Sequence, residues 1–353
     1  MAYSKLGLAR TLTYRGISLV IVLLGVLFLT VLVLGATGVS DRILNSMLTE
    51  ELRGIRQQLV TQIRDVEQLN KALESIKQQL IIAYGLDRPW YERLPNMMLK
   101  IITLDLGSAK NIQSFSGSKQ ISVIILERLP NTILLVTTAI VINFLIGLFV
   151  GTWVATKPGS IVDRLVSLYA AISYAIPTWW LGLINILVFA FYFRLFPYTG
   201  MFSAPPPTDP LLRFLDLLWH VSLPLLTLII ALSGSWIYIT RSLTVTTAQE
   251  DFVNVARAKG LPENLVQRRY IVRVVAPSIL TNVILGLAGS IGGAILTETV
   301  FGWPGMGQLY YEAIVSLDEG LILALTYVFT LVYVIARFIL EVLYVIVDPR
   351  VRY

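Results

Sequence analysis

The sequence predicts an all-α polytopic membrane protein with six transmembrane helices, a short cytoplasmic helix and an external helical insertion. Three observations carry that reading. Six apolar runs approach or exceed the roughly 20 residues needed to cross a hydrocarbon layer. Hydrophobic residues make up 56% of the 353-residue chain and charged ones only 14%, whereas soluble domains are roughly a quarter charged. Basic residues gather beside alternate gaps between the runs instead of forming one face. That argues for a lipid bilayer and against nucleic acid as a partner.

The elements follow in order. Residues 1–40 hold an N-terminal tail and the first run, about 15–36. This run is long enough to span and lacks a small-x-small site after a short core, so it reads as a retained anchor. Residues 41–130 form an extracytoplasmic segment. In it Leu52, Ile55, Leu59, Ile63, Val66, Leu69, Leu73, Ile76 and Leu80 recur at spacings of three and four, with charged and amide residues between them. That pattern predicts one amphipathic helix of about eleven turns with coiled-coil character, either packed on its own domain or standing as a stalk. Residues 131–353 supply five further runs, about 131–156, 163–193, 220–240, 278–300 and 321–347. The second of these five carries Pro177, a break that neighbouring helices can satisfy in lipid. The stretch 197–210 is proline-rich and reads as an external connector.

Orientation follows from the short flanks. Lys5, Arg10 and Arg15, then Lys157 and Arg164, then Arg241, Arg257, Lys259, Arg268, Arg269 and Arg273, then Arg350 and Arg352 all fall on one side of six spans. By the positive-inside bias, both termini and the loop at about 241–277 are cytoplasmic.

Several chemistries have no residues to stand on. There is no cysteine and only one histidine, His220, which leaves disulfides, thiol chemistry and a histidine-based metal site without ligands. No phosphate-binding G-x-x-x-x-G-K-[ST] loop and no hydrolase or metalloprotease motif occurs, so neither an enzyme nor a nucleotide site is expected. Few ionisable residues lie within the runs. Arg337 and Glu341 fit an ion pair across one turn better than an ion relay. Glu298, near the outer end of the fifth run, fits a structural hydrogen-bonding residue and a gate equally. Tyr174 and Pro177 are the other candidates for a pathway or gate. Tyr169, Tyr174, Trp179 and Trp180 suit packing or interface anchoring.

The cytoplasmic loop is more informative. It reads AQEDFVNVARAKG and then LPENLVQRRYIVRVVAP. Glu250 and Asp251 favour a helix start, and Arg257 and Lys259 favour its end. Phe252, Val255 and Ala256 share a face. Ala256 and Ala258 keep the helix thin. Gly260 fits the left-handed position beyond a helix end. Pro262, with Glu263 beside it, suits the first turn of a second helix, which runs towards a break at Pro277 before the fifth run. This helix, stop, helix unit fits a knob for a partner's groove and, equally, an interfacial helix on an anionic leaflet.

These residues resemble the binding-protein-dependent ABC importer permeases of the dipeptide/oligopeptide class, which also includes oligosaccharide and nickel systems. DFVNVARAKGLPENLVQRRYIVRVVAPSI resembles the coupling motif of that class, and GGAILTETVFGWPGMGQLYYEAI the signature that follows. GLDRPWYERLP, DLGSA, ERLPNT and the closing DPRVRY match in order as well. The general motif reads Glu-Ala-Ala, then Gly. Here Asn254, Val255, Ala256 and Gly260 occupy those places, so Asn254 does not inherit the glutamate's role. The 41–83 helix is longer than the usual stretch and reads as an insertion. The resemblance implies that residues 250–262 dock on a separate ATPase, with Phe252, Val255, Ala256, Arg257, Ala258, Lys259, Gly260, Leu261 and Pro262 as coupling residues. It further implies a second permease, expected as a paralogue in a heterodimer, two ATP-binding subunits that hold ATP-Mg, and an extracytoplasmic solute-binding protein. No cofactor is expected on this chain. An ion-gradient-driven secondary transporter is the alternative, and it predicts buried acids and inverted repeats. A structural or assembly protein is a third reading, which leaves the cytoplasmic unit without a purpose.

Overall fold

The computed structural model describes residues 5–347 apart from 37, 64, 84, 93, 94, 96–98, 100–102 and 104. Among them there is no strand, only an isolated bridge between Ser108 and Gln120. Helix α1 runs Lys5–Ala36, α2 Val39–Gln62 and α3 Val66–Ala83. Helix α4 is Ile121–Val154, α5 Ile161–Ala175 and α6 Thr178–Tyr192. Helix α7 is Pro210–Ala248, α8 Asp251–Ala258 and α9 Glu263–Ser290. Then come α10 Ile295–Val300, α11 Met306–Val315 and α12 Glu319–Val347.

Helices α4, α7, α9 and α12 are long and apolar enough to cross a membrane, and α5 with α6 adds a pair bent by 96°. The described apolar stretch of α1, Thr13–Val26, is shorter than a span. Among the described residues, four helices thus reach spanning length, or five with the bent pair counted as one span, against the six expected.

The bent pair is one broken crossing. Its partners step along α7 from one end to the other. Asp163 pairs with Arg241, Tyr169 donates to the Ile230 carbonyl, Asn185 donates to Thr227, and Ser203 bonds Asp216. At about 1.5 Å per residue, the pair's own bonds cover roughly 21 Å of α7, from Arg241 to Thr227, and the loop residue Ser203 carries the chain on to Asp216. Ser160 caps α5 by accepting from the Asp163 N–H, and Pro177 is the N-cap of α6. Proline lacks an N–H to continue the α5 ladder, so the bend falls beside it.

Helices α4 and α7 run parallel and pack through glycines. A Cβ on Gly147 would lie 2.8 Å from backbone atoms of Trp236, and one on Gly151 would lie 2.8 Å from the Ile237 carbonyl. Only glycine permits that approach, as at other close helix crossings in lipid. Leu135, Ala139, Val221, Leu228 and Trp303 fill the core at this contact.

Three expectations change. The single amphipathic helix expected over about 41–83 is two helices. Ile63 is extended, with φ −112° and ψ 109°, and the Asp65 carboxylate accepts from the Glu67 N–H at 2.9 Å. An aspartate that caps a new helix start breaks the run. Helix α2 packs on α3, with Leu48 and Leu69 buried, Val66 exposed and the other stripe residues half-buried.

The fifth crossing is Glu263–Ser290 instead of 278–300. Pro277 lies inside it without ending it, because Val275, Ile279 and Val283 are held in a buried cluster. Last, α4 and α7 each begin ten residues before the expected 131 and 220. Asp209 caps α7 at the Leu212 N–H, 2.9 Å, with Pro210 in its first turn.

The two ends of the bundle differ. One holds Lys157, Arg164, Arg241, α8 and the start of α9. The other holds residues 105–120, α10 and α11 around Ala109, Ile121, Ile124, Leu309 and Leu321. There the buried Asp318 caps α12 at the Leu321 N–H, 3.2 Å, and accepts from the Lys110 N–H at 2.6 Å. The carboxylate thus ties the segment before α4 to the start of α12.

Candidate functional site

Helix α8 lies across the basic end. Glu250 is its N-cap and Asp251 its first helical residue, where negative charge meets the positive end of the dipole. Lys259 is the C-cap. Gly260 follows with φ +75°, and its N–H donates to the Arg257 carbonyl at 2.9 Å. The left-handed stop is therefore present where the sequence placed it. Pro262 sits one residue earlier than expected, as the N-cap of α9, with φ −65° and ψ 141°.

The faces divide differently from the sequence reading. Val253 is 0% exposed and Ala256 2%, both packed with Val266, Ile271 and Val275 of α9. Phe252 is 40% exposed and Val255 53%. Ala256 thus joins the floor under the helix instead of the outward face. Its small side chain lets α8 lie close to the bundle. Val253 is a floor residue that the sequence reading passed over. The pair at i and i+3 was the available signal. Asn254, Ala258, Lys259, Gly260 and Pro262 are exposed and Leu261 is half-buried.

One side chain joins three elements. Arg257 donates from Nε and Nη2 to both Glu263 carboxylate oxygens, at 3.1 and 2.7 Å, and from Nη1 to the Ala248 carbonyl at 3.2 Å. The last residue of α7 and the first of α9 are thus held from α8. The carboxylate raises the Arg257 guanidinium above its already high range. Glu263 was read only as a helix-start residue. Its geometry makes it a bidentate partner.

The surroundings are braced too. Arg241 forms a forked pair with the buried Asp163, which also accepts from the Gly159 N–H at 2.7 Å. Gln267 reaches the Thr152 carbonyl at 3.4 Å, tying α9 to the end of α4.

The three pathway candidates are not brought together with this loop. Tyr174 on α5 is 83% exposed, and Pro177 marks the bend. Glu298 belongs to a knot at the opposite end and is completely buried. Gly305, the N-cap of α11, has no side chain to cap with. Glu298 supplies the cap, accepting from the Gly307 and Gln308 N–H groups at 2.8 and 3.1 Å. Thr132 of α4 donates to Glu298 at 3.0 Å and accepts from the Met306 N–H at 2.6 Å. Asn131 and Trp303 add two bonds between side chain and backbone, at 2.8 and 2.9 Å. Arg337 is described, whereas the side chain of Glu341 lies outside the described residues. No cluster of metal-ligating side chains occurs among the described residues.

A bundle of lipid-length helices with a buttressed amphipathic helix between two of them defines a multi-pass membrane protein. The chain belongs to the family of binding-protein-dependent transport system inner membrane components, whose profile matches residues 145–353. It is 29% identical over 283 residues to the oligopeptide transport system permease protein AppB of Bacillus subtilis, covering 80% of this chain and 87% of that one. It is 32% identical over 299 residues to the probable D,D-dipeptide transport system permease protein DdpB of Escherichia coli K12, covering 79% and 84%. The inner membrane ABC transporter permease protein YejB of Escherichia coli O157:H7 is 30% identical over 278 residues, covering 76% and 74%.

Proposed function

We propose that this chain is the permease subunit of an ABC importer, forming half of the pathway for a peptide or oligosaccharide solute. Residues 250–262 couple that pathway to ATP hydrolysis on separate subunits. The observation that carries the reading is α8 itself. It presents Phe252 and Val255 outward, stands on a buried floor and ends at a left-handed glycine. A rigid knob with exposed apolar residues suits a groove on a partner better than mobile attachment to a leaflet, which needs no stop.

The family adds the remaining parts. A paralogous second permease completes the pathway, two ATPase subunits hold ATP-Mg, and a solute-binding protein delivers the cargo. The chain sits in the cell membrane with both termini cytoplasmic, in keeping with the basic end of the bundle. Relatives named for oligopeptide and D,D-dipeptide transport favour a peptide as cargo.

The secondary-transporter alternative asks for buried acids poised within the pathway. The buried acids among the described residues are otherwise engaged. Asp163 pairs with Arg241, while Glu298 and Asp318 cap helices.

Purification tests the proposal. The chain is expected to extract with an ATPase subunit, and the assembly is expected to hydrolyse ATP. If it purifies alone and uptake follows a proton or sodium gradient without ATP, the importer reading fails.

A further inference from the structure

We propose that Arg257 is a positioning residue, a three-way joint that makes α8 and the two crossings beside it move as one body. The inference rests on the coupling role given to α8 above, and adds the part that carries its motion into the bundle. A docked helix transmits force only if it cannot swivel on its own loop. Residues 249–250 and 259–262 connect α8 to its neighbours through short non-helical links. Such links fix position but leave a rotation about the helix axis. The floor contacts of Val253 and Ala256 are apolar and non-directional.

Arg257 supplies direction. Its planar fork meets both oxygens of Glu263, and its third nitrogen reaches the Ala248 carbonyl. The Ala248 carbonyl lies at the negative end of the α7 dipole, and Glu263 lies at the positive end of α9. The guanidinium therefore adds a directional bridge between two helix ends whose other contact, Leu243 and Ala248 of α7 against the Val266 and Ile271 cluster of α9, is apolar. Lysine cannot reproduce this, because one point charge has no fork. The ion pair is partly exposed, at 39% and 63% for its two side chains. Its part in folding is therefore small.

The test uses the absence of cysteine. Lys157→Cys and Asn254→Cys, both exposed, take spin labels on the full chain in nanodiscs. The parent is expected to give one narrow distance distribution. R257A and E263A should broaden it by roughly twofold or more, as loss of a discrete coupling contact predicts. R257K should fall between, the swap R257E/E263R, which restores the ion pair but not the Ala248 bond, should narrow it part of the way, and N264A should leave it unchanged. E263Q, which keeps the size of the side chain, serves if an alanine variant does not fold, and it too should broaden the distribution. An R257A or E263Q distribution as narrow as the parent's overturns the joint.

The same pair is then read with the ATPase subunits assembled and ATP trapped by vanadate. The parent distance should shift, and the shift should shrink on the order of three-fold or more in R257A and E263A. If the parent does not shift, the coupling role of α8 fails, and the joint is still decided by the first measurement. Full-sized shifts in both variants overturn the joint. So does loss of the ATPase subunits from R257A but not from E263A, since Arg257 would then touch the partner directly.

Discussion

At the scale of single residues, Gly260 makes the sharpest prediction. Its φ is +75°, and a Cβ there would meet nothing within 4 Å. Any penalty is therefore conformational, on the order of 1–2 kcal/mol for an ordinary residue and more for a β-branched one. Gly260→Val should uncouple ATP-driven uptake while membrane insertion stays intact, and Gly260→Asn should retain most uptake because asparagine tolerates the left-handed region. Normal uptake by the valine variant would remove Gly260 from the mechanism. Glu298 predicts a different loss. Glu298→Ala leaves the Gly307 and Gln308 N–H groups and the Thr132 hydroxyl without their acceptor. Thermal unfolding in detergent should show roughly 3 kcal/mol or more of destabilisation, and less for Glu298→Gln, which keeps one carbonyl oxygen. Gly260 was legible in the sequence because few residues adopt positive φ. The role of Glu298 was not, because its partners lie in other helices, Thr132 being 166 residues away. The inward turn of Ala256 was hidden for a related reason. Phe252, Val255 and Ala256 do share an arc, and only the position of α9 decides which edge of it is floor.

At the scale of elements, local patterns gave helix existence well and helix ends poorly. The amphipathic run over 52–80 kept its period through Asp65, so the period alone could not show the break. The capping chemistry of Asp65 could. Pro277 misled in the opposite direction. A proline stop is a local rule, and buried Val275 and Ile279 on either side override it. The contact between α4 and α7 is a property of two helices together. Gly147→Ala would place a methyl 2.8 Å from the Trp236 backbone. The expected cost is roughly 1–3 kcal/mol, seen as a lower midpoint in thermal unfolding. An unchanged midpoint would mean that the two helices separate freely at that level.

At the scale of the whole molecule, parity is the quantity to test. The parallel course of α4 and α7 puts Lys157 and Asn254 at one end of the bundle and Phe115 and Thr208 at the other. With no native cysteine, single substitutions map this directly. Phe115→Cys and Thr208→Cys should react with a membrane-impermeant maleimide in intact cells, and Lys157→Cys and Asn254→Cys only after permeabilisation. Equal labelling of Phe115→Cys and Lys157→Cys would mean that α4 does not cross. The knot around Glu298 has a consequence for the history of the chain. The cap on α11 is assembled from α10 and from α4, which leaves the ribosome more than 160 residues earlier. That cap is complete only with Thr132 in place, so the last third of the protein is expected to close its knot on an α4 that is already inserted.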